Sequence, residues 1–288
     1  MRRSLRLLVV EGNTADMRAV HIATAGATMS ASYASVLRSL APDAEIDVCF
    51  PADGAAQAHS HSPADYDGVA ITGSSLNLWK AEPEAVRQVE LARAVFASSV
   101  PFFGSCWGLQ VAAVAAGGRV ELNPRGREVG FARKITLTDC GRSHPLHRGR
   151  PLAFDAPTVH TDIVTVVPPE GKVTASNALA DVQAAEIHHQ GGAFWGVQYH
   201  PEFALHDVAA TLQRYGDRLI DDGHFASSVE LALHVDAIRA LHANPGRKHL
   251  AWRLGLDSDL LDSRTRLTEI ANWITYAVLP QKSRRGRA

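Results

Sequence analysis

The strongest constraint on the fold is an alternation of short apolar runs with amphipathic segments in the N-terminal part of the chain. Leu5–Val10 (LRLLVV) reads as a buried strand closed by a turn at Glu11–Asn13. Tyr33, Val36, Leu37 and Leu40 recur at helical spacing in a segment that stops before Pro42. Glu45–Pro51 alternates and ends in proline, which predicts a second strand. Gly68–Ile71 running into Gly73 predicts a third strand, Glu82–Ser99 a helix with an acidic first turn, and Val100–Gly104 a fourth strand. An alanine-rich helix from Trp107 then ends at Gly117–Gly118. Strand–helix repetition of this kind predicts a parallel sheet with helices on both faces. Its strands lack strict alternation, as strands covered on both sides do. Ligands of such sheets sit at the carboxyl ends of the strands, where Gly73 and Cys106 fall.

From Arg119 the texture changes to short β-branched segments separated by turn residues, which predicts an antiparallel β insertion. Beyond Phe203 the segments 207–221, 228–243 and 262–279 carry helical periodicity. The expected layout is an α/β domain over residues 1–220 and a helical extension over 221–288. The extension has an apolar face that needs covering. Its own α/β domain, a second copy in a homodimer, or a partner protein could each provide the cover.

Formal net charge is −1 over 288 residues, so there is no electrostatic case for nucleic acid or an acidic membrane as partner. The basic tail from Lys282 reads as a solvated, frayed terminus. Leu5–Val10 is too short for a leader's apolar core, and no run approaches a membrane span. Three scattered cysteines fit neither a disulfide framework nor a zinc site and suit a reducing cytoplasm.

Gly104-Ser-Cys106-Trp-Gly108 fits the Gly-x-nucleophile-x-Gly pattern of a sharp strand-to-helix turn. Side chains at the flanking positions would collide, and glycines avoid that. The turn puts Cys106 at a helix N-terminus, where the dipole and free N–H groups favour the thiolate. The Trp107 N–H is placed to bind a developing oxyanion. The alternative is a buried thiol among packing glycines. Acyl transfer also needs a base and a group to orient it. His200 and Glu202, in Tyr-His-Pro-Glu, lie two residues apart and project to the same side of an extended segment. Glu202 can then bond one imidazole nitrogen while the other faces a thiol.

GSCWGLQ followed 94 residues after its cysteine by YHPE resembles the class I glutamine amidotransferases, and most closely the stand-alone proteins similar to the amidotransferase domain of GMP synthase. The resemblance covers roughly residues 5–215. It implies a flavodoxin-like fold and a Cys106–His200–Glu202 triad. It implies a second oxyanion donor at Gly73 or Ser74, in GVAITGSS. It further implies that Gln110 touches the substrate amide and that Asp162, in TVHTDIV, grips the substrate α-amino group. The chain departs from the family where Thr72-Gly-Ser-Ser replaces a Gly-Gly-Pro turn, where Thr161 replaces a glycine, and where the bulky Trp107 follows the nucleophile.

The implied chemistry is attack of Cys106 on the γ-amide of glutamine or a γ-glutamyl compound, through a thioester and without metal or organic cofactor. Three functions follow. One is a glutaminase subunit feeding a separate synthase, since no ATP-pyrophosphatase segment is visible. The second is a free-standing γ-glutamyl hydrolase or transferase. The third is an inactive binding module, against which the intact Cys106, His200 and Glu202 weigh. Cys49 reads as a core thiol and Cys140 as a loop thiol. His188 and His189 are strand neighbours pointing to opposite faces, unsuited to one ion. His144 and His147 flank Pro145 in a polar loop and read as solvated. Trp79 reads either as a wall of the site or as a packing anchor.

Overall fold

The computed structural model describes residues 4–54 and 62–286. The chain runs β1 (Arg6–Val10), α1 (Ala15–Ala25), α2 (Met29–Leu40), β2 (Glu45–Cys49), β3 (Gly68–Ile71), α3 (Pro83–Ser98), β4 (Phe102–Ser105) and α4 (Trp107–Ala115). The middle portion is β5 (Arg119–Leu122), β6 (Glu128–Leu137), α5 (Asp139–Ser143), β7 (Ala153–His160), β8 (Asp162–Val166), β9 (Gly171–Ser176), β10 (Ala184–His189) and β11 (Gly192–Val197). After it come α6 (Leu205–Arg214), α7 (Gly216–Asp221), α8 (Ser228–Ala243) and α9 (Lys248–Leu254), then short helical segments to Arg284.

Among the described residues, nine strands form one sheet in the order β2-β1-β3-β4-β11-β10-β9-β6-β7. The pairs from β2 to β11 are parallel. The remaining pairs, beginning with β10 against β11, are antiparallel. β5 and β8 make a separate antiparallel pair. The insertion thus extends the parallel sheet as well as building a small ribbon beside it. β11 lies next to β4 with Val197 level with Ser105, so the chain following β11 emerges beside the one following β4. That places the segment bearing His200 next to Cys106.

Successive strand residues feed opposite layers. Leu8, Val10 and Phe102 pack with Phe96 and Leu109 of α3 and α4, whereas Leu7, Val9 and Phe103 pack with Tyr33 and Leu37 of α2. The second layer is completed by the C-terminal segment: Ile270, Trp273, Ile274 and Val278 belong to the same cluster as Phe103. A Cβ on Gly68 would lie 2.9 Å from Val278 and 3.0 Å from the Trp273 ring, so side chains of this segment rest directly on the β3 backbone. Further along, α8 and α9 cover α6 through Leu231, Ile238, Leu241 and Leu250. The extension therefore lays its apolar face on its own α/β layers.

Three expectations change. The basic tail is docked as far as the structure describes it: Lys282 is buried and donates to the Ser4 carbonyl at 2.6 Å, and Arg285 donates to the Tyr66 carbonyl at 2.9 Å. Residues 287–288 of that tail lie outside the described residues. His147 is buried, with its ring 2.9 Å from the Thr174 hydroxyl and 3.6 Å from Glu269. His144 is half-buried against Glu186 and Trp195. Neither histidine is solvated, and the sequence hides this because their partners lie far off along the chain. The helical run expected over 262–279 breaks at Leu267 and widens into a π-helical turn at Ile274–Val278. Trp273→Ala should cost about 3–5 kcal/mol of unfolding free energy in urea titration, as for other fully buried aromatics. A loss within about 0.5 kcal/mol, the range of surface changes, would show that the segment is not core.

Candidate active site

Cys106 follows the last residue of β4 and caps α4 at φ 52° and ψ −98°. A non-glycine residue with that backbone stores about 1–3 kcal/mol of strain, which its surroundings must impose. They do so by close packing. A Cβ on Gly104 would lie 2.6 Å from Gly108 Cα, and one on Gly108 would lie 2.7 Å from the Ile71 carbonyl. The Cys106 N–H donates to the Val197 carbonyl at 2.7 Å, which ties the turn to β11. Trp107 opens α4, so its N–H is one of the helix-terminal donors without an intrahelical acceptor. Its indole is buried and donates to Gln88 Oε1 at 2.7 Å. Gln88 Nε2 in turn donates to the Gly12 carbonyl at 3.0 Å. The bulky residue after Cys106 is thus a strut between α3 and the end of β1.

Beyond β11, His200 Nδ1 lies 2.7 Å from Glu202 Oε1, and both side chains are buried. The imidazole stacks on Phe203 with centroids 4.1 Å apart and 13° between the planes. The His200 N–H donates to the Pro157 carbonyl at 2.8 Å. Glu202 Oε2 accepts from the Ser105 hydroxyl at 2.8 Å, and Ser105 lies 3.2 Å from Tyr33 Oη. Sequence reasoning misses Ser105 and Tyr33. Ser105 carries the clue of adjoining Cys106, but nothing near Tyr33 in sequence marks it. With Nδ1 engaged by Glu202, His200 Nε2 is the nitrogen left to face Cys106. Burial alone would lower the His200 pKa, but the adjoining Glu202 carboxylate, with Cys106 adding to it, outweighs burial and holds the imidazole up at about 10.

Gly73 follows β3 and abuts the imidazole: a Cβ there would lie 2.6 Å from His200 Cε1. The Ser74 hydroxyl donates to the Gly12 carbonyl at 2.8 Å, and Asn13 Oδ1 accepts from the Ser75 N–H at 2.9 Å. The end of β1 thereby fixes the loop expected to carry the second oxyanion donor.

Cys106, His200, Ser74, Gln110 and Asp162 all line one cleft. Asp162 is 4% exposed. Its Oδ2 accepts from Asn77 Nδ2 at 2.7 Å and Trp79 Nε1 at 3.2 Å, while Oδ1 has no partner among the described residues. Trp79 thus bonds a cleft residue while its ring is half exposed and outside the cleft lining. Gln110 Nε2 donates to the Asp162 carbonyl at 2.9 Å, so it braces that residue from behind. His160, two residues before Asp162, also lines the cleft and pairs through Nε2 with Glu128 at 2.8 Å. Away from the cleft, His188 turns to Glu186 at 3.1 Å and His189 meets the Phe96 ring edge-on, so the two histidines diverge.

A thiol at a strained strand-to-helix turn, an imidazole held by a buried carboxylate and a cleft carrying a free carboxylate oxygen make a chemistry of amide cleavage available. The class I glutamine amidotransferase profile matches residues 26–214, and the chain belongs to that family. It is 36% identical over 286 residues to a γ-glutamyl-L-1-hydroxyisopropylamide hydrolase of a Pseudomonas species, covering 98% of this chain and 96% of that protein. It is also 36% identical to a glutamine-hydrolysing GMP synthase component of Methanothrix thermoacetophila, but over only 43% of this chain and 60% of that protein. A glutamine amidotransferase from Methylobacillus flagellatus shares the fold at a TM-score of 0.63 and 18% identity, over 96% of this chain and 95% of that one. No described helix is long and apolar enough to cross a membrane.

Because the folded His200 pKa exceeds the unfolded value of about 6.5, the stabilisation from the His200–Glu202 pair is complete below that pH. It is lost as the pH rises through about 10. In Glu202→Gln the His200 titration midpoint, followed by its NMR ring-proton shift, should fall by about 1–3 pH units. An unmoved midpoint would remove Glu202 as the source of the effect.

Proposed function

We propose that the protein hydrolyses the γ-amide bond of small γ-glutamyl compounds through a cysteinyl thioester. Cys106 Sγ attacks the γ-carbonyl carbon. The oxyanion formed is held by the Trp107 N–H and a backbone N–H at Gly73 or Ser74. Protonated His200 gives its proton to the departing amine as the C–N bond breaks. The same nitrogen then takes a proton from water, whose oxygen attacks the thioester carbonyl. Glutamate leaves and the thiol is restored. Glu202, held by Ser105, orients the imidazole and stabilises its cation. Asp162 Oδ1 accepts the substrate α-ammonium, and Gln110 steadies the Asp162 backbone beneath it.

One observation favours a free-standing hydrolase over a component that supplies ammonia to a synthase. Similarity to the γ-glutamyl amide hydrolase runs through the C-terminal helices, whereas similarity to the GMP synthase component covers 43% of the chain. That C-terminal segment fills one layer of this chain's own core. Cys106→Ala should lower γ-glutamyl-anilide turnover by about 10⁴–10⁶-fold with the thermal transition unchanged. Retained turnover would refute the nucleophile. The isolated wild-type chain should cleave γ-glutamyl alkylamides at least as fast as free glutamine. Silence on both until a second protein is added would favour the ammonia-supplying role.

A further inference from the structure

Two arginines line the cleft, and the chemistry above uses neither. Arg214, the last residue of α6, lines the same cleft as Cys106 and Asp162. Its Nε is buried without a hydrogen-bond partner among the described residues, and no described carboxylate forms an ion pair with it. Its guanidinium lies over the Tyr215 ring, 5.0 Å from centroid to Cζ, and adds to burial in lowering the pKa of His21. The other cleft-lining cation, Arg127, differs: it lies 5.3 Å from the same Tyr215 ring but pairs with Asp222 at 3.2 Å. Asp162 is the one carboxylate in the lining, and its free Oδ1 is the matching unpaired acceptor. A partly buried guanidinium costs free energy unless an anion meets it, and a planar carboxylate is the geometry it reads best.

We propose that Arg214 binds a carboxylate of the substrate, so that the cleft reads a zwitterion: Asp162 takes the ammonium and Arg214 the carboxylate. The inference rests on the γ-glutamyl reading for its choice of ligand. The α-carbon of every γ-glutamyl compound carries both charges, which makes its α-carboxylate the expected partner. Where the leaving amine is itself an amino acid, its carboxylate offers the same chemistry. With both charges demanded, the site would accept γ-glutamyl amides and reject simple acyl amides of similar length. Arg214 would then set specificity by binding, while bond cleavage stays with Cys106 and His200.

The test compares wild type with Arg214→Gln on γ-glutamylmethylamide and γ-glutamylglycine. Calorimetric binding of L-glutamate and of 4-aminobutyrate, which lacks the α-carboxylate, accompanies it. The expected result is a rise in KM of about tenfold or more on both amides, the scale of one charged hydrogen bond, with kcat little changed. L-glutamate binding should weaken by the same factor, with 4-aminobutyrate unaffected. Arg214→Lys should recover part of the loss. A loss confined to γ-glutamylglycine would move the recognised carboxylate to the leaving amine. Unchanged KM on both amides, or equal weakening of L-glutamate and 4-aminobutyrate, would overturn the inference. If wild type cleaves neither amide, the hydrolase reading fails, and the L-glutamate and 4-aminobutyrate binding pair still decides the role of Arg214.

Discussion

The constraint on which the site depends is the contact between α4 and β3 at Gly108. With the Gly108 Cα seated over the Ile71 carbonyl, α4 starts almost on top of the sheet. β4 then has a single residue, Cys106, in which to turn. Its left-handed φ follows from that shortage of space, and Cys106 is left in the wall of the cleft. The strain is tolerated because the rest of the turn is over-determined. The Cys106 N–H is tied to β11, Ser105 to Glu202, and the Trp107 ring to Gln88. A larger residue at either glycine would push α4 away from the sheet and release all three ties together.

The buried chain Tyr33–Ser105–Glu202–His200 runs through α2, β4 and the loop after β11. A carboxylate with so little solvent needs donors on both oxygens, and Glu202 has one on each. Ser105 stabilises the charge of Glu202, and that charge raises His200. Gly73 matters equally, because a side chain there would occupy the space of the imidazole. The end of β3 thus contributes room for the base as well as the backbone expected to face an oxyanion.

The parallel half of the fold is legible because each strand and helix carries its own local signal, and the Cys106 and His200–Glu202 motifs are short and dense in information. What escapes depends on distance. Tyr33 looks like one more core position of α2, and only the register of β4 brings its hydroxyl to Ser105. His147 reads as polar loop until Thr174 and Glu269 arrive from 27 and 122 residues away. α1 escapes notice although its ends are marked: Thr14 caps Met17 and Gly26 closes it at φ 83°. Its weak apolar pattern leaves a single buried side chain, His21, so periodicity has nothing to report. Gln110 is legible as a site residue by resemblance, but its amide turns to the Asp162 carbonyl, a backbone contact that no motif encodes.

The C-terminal segment bears on the site through one buried ion pair. Arg150, ahead of β7, donates from Nε and Nη2 to the two oxygens of Glu269 at 2.8 Å each, with both side chains fully buried. Burial would push the Glu269 carboxyl up, but Arg150 holds it down at about 2, so the pair is charged throughout the physiological range. Such a pair adds little net stability over an apolar replacement, but it tolerates only one arrangement. That arrangement sets Glu269 beside Tyr199, whose hydroxyl is driven well above its usual range by burial and then by Glu269. Tyr199 immediately precedes His200 and packs in the layer that holds Trp273. The helical segment thus presses on the back of the loop that carries His200. A domain that ended after α6 would leave Tyr199, Phe103 and Arg150 uncovered, and the imidazole would lose the wall behind its own backbone.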